Sequence, residues 1–200
     1  MPINICFIRH GQTNANKMRI FQGRTNLPLN KIGINQAYET SNLLKELDIK
    51  WDAIISSPLD RAFTTASIIS NELNLNFKIV INDLAIERSF GEGEGVDITD
   101  ENYTKFMNNE FSNQESEDDV TKRGEKLFND LLFKYNNKNI IVVSHSHMIK
   151  GILKNFIPSL TFQDSIRNTS LNFLIFKDEN DYQTILNIKE TNELPSDFYI

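Results

Sequence analysis

Two histidines in this 200-residue chain stand directly after short apolar runs, in Phe7-Ile8-Arg9-His10-Gly11 and in Val142-Val143-Ser144-His145. Such runs, rich in β-branched residues and stopped by polar ones, describe strands buried on both faces. If the two strands lie side by side and parallel, both imidazoles reach one rim, the rim where open α/β sheets bind ligands. Arg61 follows a third run, Trp51 to Ser57, by one short turn, and Glu87 stands in the loop after a fourth. Two histidines, two arginines and a carboxylate therefore converge. Phosphoryl transfer wants this set. Arginine forks grip phosphate oxygens in a planar geometry that lysine lacks, a neutral imidazole attacks phosphorus, and a protonated carboxyl serves the leaving alkoxide and then, as carboxylate, the water.

The elements that must position these groups follow from periodicity. After the first strand, Gln12 to Leu29 has no sustained period and reads as a functional loop with room for one helical turn. Asn30 is a helix cap, and Ile34, Ala37, Ser41, Leu44 and Leu47 make one buried stripe over Gly33 to Asp48. The Trp51 to Ser57 strand ends at Pro58, and a helix with Ala62, Ala66, Ile69 and Leu73 on one face follows. Phe77 to Ile81 reads as a third strand, residues 82–98 as irregular, and Asp100 to Asn109 as a short helix. Ser116 and Asp119 have capping-box spacing ahead of a helix whose core face is Val120, Leu127, Leu131 and Tyr135. Asn139 to Ser144 is a fourth strand, Met148 to Phe156 a helix, and Leu171–Phe176 with Thr184–Lys189 a closing pair. Alternating strands and helices imply right-handed βαβ units, hence a three-layer α/β/α sandwich around a mostly parallel sheet.

Length and 40% apolar content fit one domain over residues 1–200. The single cysteine, Cys6, lies in an apolar run and reads as core, which suits a reducing cytoplasm. No signal peptide or membrane span is legible, so no membrane partner is expected. The net charge of −6 argues against nucleic acid. That charge is uneven: residues 92–119 hold ten acids against Lys105 alone, a balance of −9, leaving +3 elsewhere.

The motifs, taken together, resemble the histidine phosphatase superfamily, the phosphoglycerate-mutase-like group. They are Arg9-His10-Gly11 after a buried strand, Ser56-Ser57-Pro58-Leu59 with Arg61-Ala62 and Thr64-Thr65-Ala66, Glu87 with Phe90-Gly91 and Glu94-Gly95, and Val143-Ser144-His145. They run in the family's order over nearly the whole chain. The resemblance implies a phosphoglycerate-mutase-like fold, His10 as phosphorylated nucleophile, Arg9, Arg61 and His145 as phosphate clamp, and Glu87 as proton donor. It also implies Asn16, Gln22 and Gly23 at the substrate, with no metal or cofactor. Phe21-Gln22-Gly23, Leu27-Pro28-Leu29, Gly33 and Gln36-Ala37 are similar to the phosphatase branch.

The resulting expectation is hydrolysis of a small phosphorylated metabolite by a monomer or homodimer. Two alternatives stand beside it: a cofactor-dependent phosphoglycerate mutase, and a binding module without turnover. Against the mutase, an acidic insert at about 92–119 lying over the site repels a bisphosphorylated ligand at separations within the Debye length of roughly 8–10 Å. For it, Arg88 beside Glu87 resembles the mutase pattern. Ser146 stands where the family usually has glycine, and Gly93 where it often has tryptophan. His147 reads as a surface group or a support for its neighbours, and Arg24 as an exposed loop cation. Glu92 and Glu94 compete with Glu87, and Asn168-Thr169-Ser170 as a turn or a contact.

Overall fold

β1 (Ile3–Arg9) is the strand from which the fold is built outward. Its side chains alternate: Ile3, Ile5 and Phe7 enter one apolar cluster, while Cys6 and Ile8 enter the other. The two-residue period of a strand thus splits one apolar run between two cores. β4 (Asn139–Ser144) does the same, with Ile140 and Val142 on the first face and Ile141 and Val143 on the second. These details come from a computed structural model that describes residues 2–195; Met1 and residues 196–200 of the expected domain lie outside the described residues.

The remaining elements are α1 (Asn14–Met18), α2 (Lys31–Glu46), β2 (Ala53–Ser56), α3 (Asp60–Glu72), β3 (Val80–Ile81), α4 (Asp100–Met107), α5 (Glu117–Lys134), α6 (Ser146–Leu153), β5 (Leu171–Asp178) and β6 (Asp181–Ile188). The sheet order is β3-β2-β4-β1-β5-β6. β1, β2, β3 and β4 run parallel, and β5 and β6 close the sheet antiparallel. Residues from α5 and α6 join the first cluster and residues from α2 and α3 the second, which completes the three layers expected from the alternation of elements. Among the described residues no helix is long and apolar enough to cross a membrane.

Local signals placed most boundaries. Asn30 accepts from the Gly33 amide at 2.8 Å and Ser116 from Asp119 at 3.1 Å, so both caps satisfy amides that a helix start leaves open. Gly124 on α5 faces Gly151 on α6, where a Cβ would meet the backbone at 2.7 Å; only glycine allows this approach. The third strand is shorter than Phe77 to Ile81. Only Val80 and Ile81 pair with β2, while Phe77 and Ile79 pack onto the second core instead. An edge strand with one neighbour keeps only the residues that its register reaches. Two single 3-10 turns, at Asp83–Ala85 and Gly91–Gly93, interrupt the stretch read as irregular.

Residues 90–111 make a satellite core with Phe21: Phe90 and Phe106 are buried there, and Ile98, Met107 and Phe111 pack against them. This apolar side is what fastens the acidic segment to the body. Gly93 lies against the Phe111 ring, where a Cβ would be 2.7 Å away, so a larger residue at this position must displace that ring.

Candidate active site

The β1–β4 register sets the centre of the site. Arg9 pairs with Ser144, so the next residues, His10 and His145, leave the sheet side by side. The His10 amide still bonds to the Ser144 carbonyl at 3.0 Å, and the two rings lie 5.1 Å apart at an angle of 58°. Behind them, Thr169 donates its amide to the Arg9 carbonyl and Asn168 its side-chain amide to the His10 carbonyl, both at 2.8 Å. The Asn168-Thr169 segment is therefore a contact that braces the strand end.

A hydrogen bond fixes the proton on the His10 ring. His10 Nδ1 lies 2.7 Å from the Gly11 carbonyl, which only accepts, so Nδ1 carries the hydrogen and Nε2 the lone pair. His145 Nε2 lies 2.7 Å from Ser57 Oγ, which also accepts from the Leu59 amide at 3.3 Å. The Ser57 hydroxyl can donate to Nε2 or accept from it; the other nitrogen, Nδ1 of His145, is buried and unpartnered among the described residues. Burial, each other's proximity and the guanidinium groups of Arg61 and Arg9 hold His10 well below the ordinary histidine range. Burial and Arg61 do the same for His145 against the pull of Glu87. Both rings are neutral at pH 7.

Arg61 is 1% exposed at the start of α3, one strand over from β4. Its Nη atoms donate to the carbonyls of Gly23 and Thr25 at 2.7 and 2.8 Å, tying down the loop after α1. Arg9 donates to the Ile166 carbonyl at 2.7 Å. The Nε atoms of both arginines are buried without partners among the described residues. Asn16, Gln22 and Gly23 line the same cavity, which measures about 410 Å³. Gln22 is held by the Thr13 hydroxyl at 2.8 Å.

Glu87 is buried and receives the amides of Arg88 at 2.9 Å and Met148 at 3.1 Å, with the His147 ring 3.9 Å away. Burial pushes its carboxyl up, but the His147 and His145 rings and the Arg88 amide outweigh that and hold it well below the usual carboxylate range. It therefore rests as a carboxylate, not in the protonated form that the donor role wants. Glu94 is removed from competition, since its oxygens take the amides of Arg24 and Thr25 at 2.8 Å each. Glu92 is exposed and does not line the cavity.

Several readings of the sequence need correction. The carboxylates of 92–119 do not face the cavity; that segment contributes Ile98, Tyr103 and Phe106 to its wall. Its acids serve elsewhere, as Glu115 does against Arg123 at 2.8 Å and Glu117 near Arg88 at 3.7 Å. Arg88 is buried with its guanidinium 4.7 Å over the Phe106 ring and does not line the cavity. His147 is not at the surface: it lies in the wall, stacked on Phe162 with centroids 5.7 Å apart, and burial lowers it to about 4. Arg24 is exposed but reaches the Glu87 carbonyl at 3.1 Å. Lys150 and residues 162–166 complete the wall. No periodicity marks 162–166, and Lys150 falls in a helix whose sequence carries no sign of the cavity.

The profile of the histidine phosphatase superfamily (branch 1) matches residues 5–189. An uncharacterised phosphatase, PhoE, of Bacillus subtilis is 36% identical over 149 residues, covering 74% of this chain and 75% of its own. The structure of a phosphoserine phosphatase mutant from Entamoeba histolytica in complex with phosphoserine superposes with a TM-score of 0.79 at 30% identity, covering 94% of this chain and 98% of that one. The complex of the Entamoeba phosphoserine phosphatase with 3-phosphoglyceric acid gives 0.75 at 31% identity, with coverages of 87% and 91%. With 185 of its residues spanned by one profile, and relatives of this identity and coverage, this chain belongs to the histidine phosphatase superfamily, branch 1.

Proposed function

We propose that this protein is a metal-independent phosphatase that hydrolyses a small phosphomonoester through a phosphohistidine on Nε2 of His10. The observation that carries the reading is the pair of neutral rings 5.1 Å apart, one with a fixed lone pair and the other with an unpartnered Nδ1. In the first step Nε2 bonds to phosphorus in line as the ester P–O bond breaks, and the alkoxide takes a proton from Glu87. In the second, water attacks phosphorus, Glu87 recovers a proton from it, and the P–N bond breaks. Arg9, Arg61 and His145 stabilise the equatorial oxygens throughout. A phosphate dianion beside Glu87 raises its carboxyl and supplies the protonated form that the resting site lacks.

The lining favours hydrolysis over phosphoryl transfer to a second substrate. The segment at 92–119 brings apolar side chains to the wall and no cation, and Arg88 is engaged with Phe106 and Glu115. Cys6 is a buried core thiol, which fits a cytoplasmic setting.

Rapid-quench labelling with a phosphate-labelled aryl ester tests the proposal. Labelled protein that is stable to base and labile to acid, with steady phosphate release and neither in His10→Ala, is the expected result. Faster interconversion of 2- and 3-phosphoglycerate than phosphate release would make it a mutase. Binding without release would make it a module.

A further inference from the structure

Lys150 is a cation that the chemistry above leaves unused. It lies on α6, one turn after His147, is 3% exposed, and lines the cavity. Its Nζ donates to the carbonyls of Phe162 at 2.6 Å and Asp164 at 3.1 Å. An ammonium has three hydrogens, so one remains. Among the described residues no carboxylate comes within ion-pair distance of it. The Asp164 carboxylate is engaged by the Thr161 amide and hydroxyl at 2.7 and 2.8 Å. A buried charge with only neutral partners is costly, and an ordinary carbonyl-to-lysine tie can be made at a solvated position without that cost.

We propose that Lys150 receives a carboxylate carried by the substrate, so that the preferred substrates are phosphomonoesters of small hydroxy acids. The inference rests on the phosphatase reading of the same site. Charge supports it. With Glu87 protonated for its donor role, Arg9, Arg61 and Lys150 present three positive charges, which a phosphate dianion and one carboxylate balance. The substrate carboxylate takes the third Nζ hydrogen beside the stacked Phe162 and His147 rings, where burial strengthens the pair. The groups that act on Lys150 are known. Burial lowers it to about 8, Glu87 and Asp164 pull it up, as does Glu117 from α5, and Arg9 pushes it down. His147 feels its charge in turn. The subsite therefore loses its cation as pH rises through about 8.

The test compares two esters that differ in one group, 3-phosphoglycerate and glycerol 3-phosphate. Because both use the same phosphate machinery, the ratio of their kcat/KM values cancels titration and damage at His10 and Glu87. Lys150→Met is expected to lower that ratio by about tenfold or more, chiefly through KM for 3-phosphoglycerate, and Lys150→Arg to keep most of it. In the unaltered protein the ratio falls above pH 8. An equal loss on both esters in Lys150→Met, or a pH-independent ratio in the unaltered protein, overturns the subsite and makes Lys150 a structural tie. Calorimetric binding of the two compounds to His10→Ala reads the same preference without turnover. A preference there with no hydrolysis by the unaltered protein would sink the phosphatase reading and leave the subsite standing.

Discussion

His145 Nε2 lies 2.7 Å from Ser57 Oγ, and among the described residues this is the hydrogen bond that holds the buried ring, whose Nδ1 has no partner. Ser57→Ala removes that partner and leaves the ring with no hydrogen bond to hold its orientation or tautomer. The expected outcome is a 10–100-fold fall in kcat/KM, the scale typical of lost supports behind a site, with about 1 kcal/mol of stability. Nitrogen-15 spectra of the histidines check the tautomer directly; an unchanged spectrum with unchanged rate would show that the serine does not set it.

Glu87→Gln keeps the shape of the side chain and removes the exchangeable proton. For alkyl esters kcat should fall by roughly 10²–10⁴, the usual size of an acid–base contribution. An aryl ester with a good leaving group needs no proton in the first step, so the variant should accumulate phosphohistidine and stall at hydrolysis. Equal losses on both ester types without labelled protein would remove Glu87 from this role.

Acid should destabilise the fold before it protonates most carboxylates. His10, His145 and His147 are all held below the ordinary histidine value of 6.5. The unfolded chain then binds protons that the folded chain refuses, so stability is full above pH 6.5 and declines as pH falls toward the folded values. His147, lowered to about 4, accounts for roughly 2 kcal/mol of loss at pH 5. Thermal melts between pH 7 and 5 measure it. Replacing His147 with Gln should flatten the curve by about that amount, and a curve that keeps its slope contradicts the burial argument.

Gly11 and Gly33 form the close contact behind the loop that follows His10. A Cβ on Gly33 would overlap the Gln12 carbonyl and amide, and one on Gly11 would overlap Gly33. Gly33→Ala should cost roughly 1–3 kcal/mol, as overpacking usually does, and lower kcat/KM because the displaced backbone carries Gly11 and the His10 bond to it. A melting temperature within a degree of the unaltered protein would show that α2 can retreat freely.

The chemistry-bearing ends of β1 and β4 were legible in the sequence because an apolar run that stops at a polar group announces both burial and exit. Arg9, His10 and His145 needed only residue type, strand period and one parallel pairing to be gathered at one rim, and Arg61 and Glu87 the parallel pairings of β2 with β4 and of β3 with β2. The caps at Asn30 and Ser116 were equally local, since each bonds an amide three residues away.

What only the tertiary structure decided is where unpatterned or ambiguous side chains go. The acids of 92–119 looked like the face over the site because charge is visible in sequence. The packing of Phe90, Ile98 and Phe106 on Phe21 instead turned the apolar side inward and the carboxylates away. His147 read as a surface group or a support, and Lys150 carried no signal at all, until α6 proved buried along most of its length against α5 and the sheet, with Lys150 tied to Phe162 and Asp164. The resting charge of Glu87 depended on amides from positions 88 and 148, sixty residues apart. Local pattern records the backbone's period and the groups at its ends; the environment of a buried side chain is a sum over distant segments that no window of sequence contains.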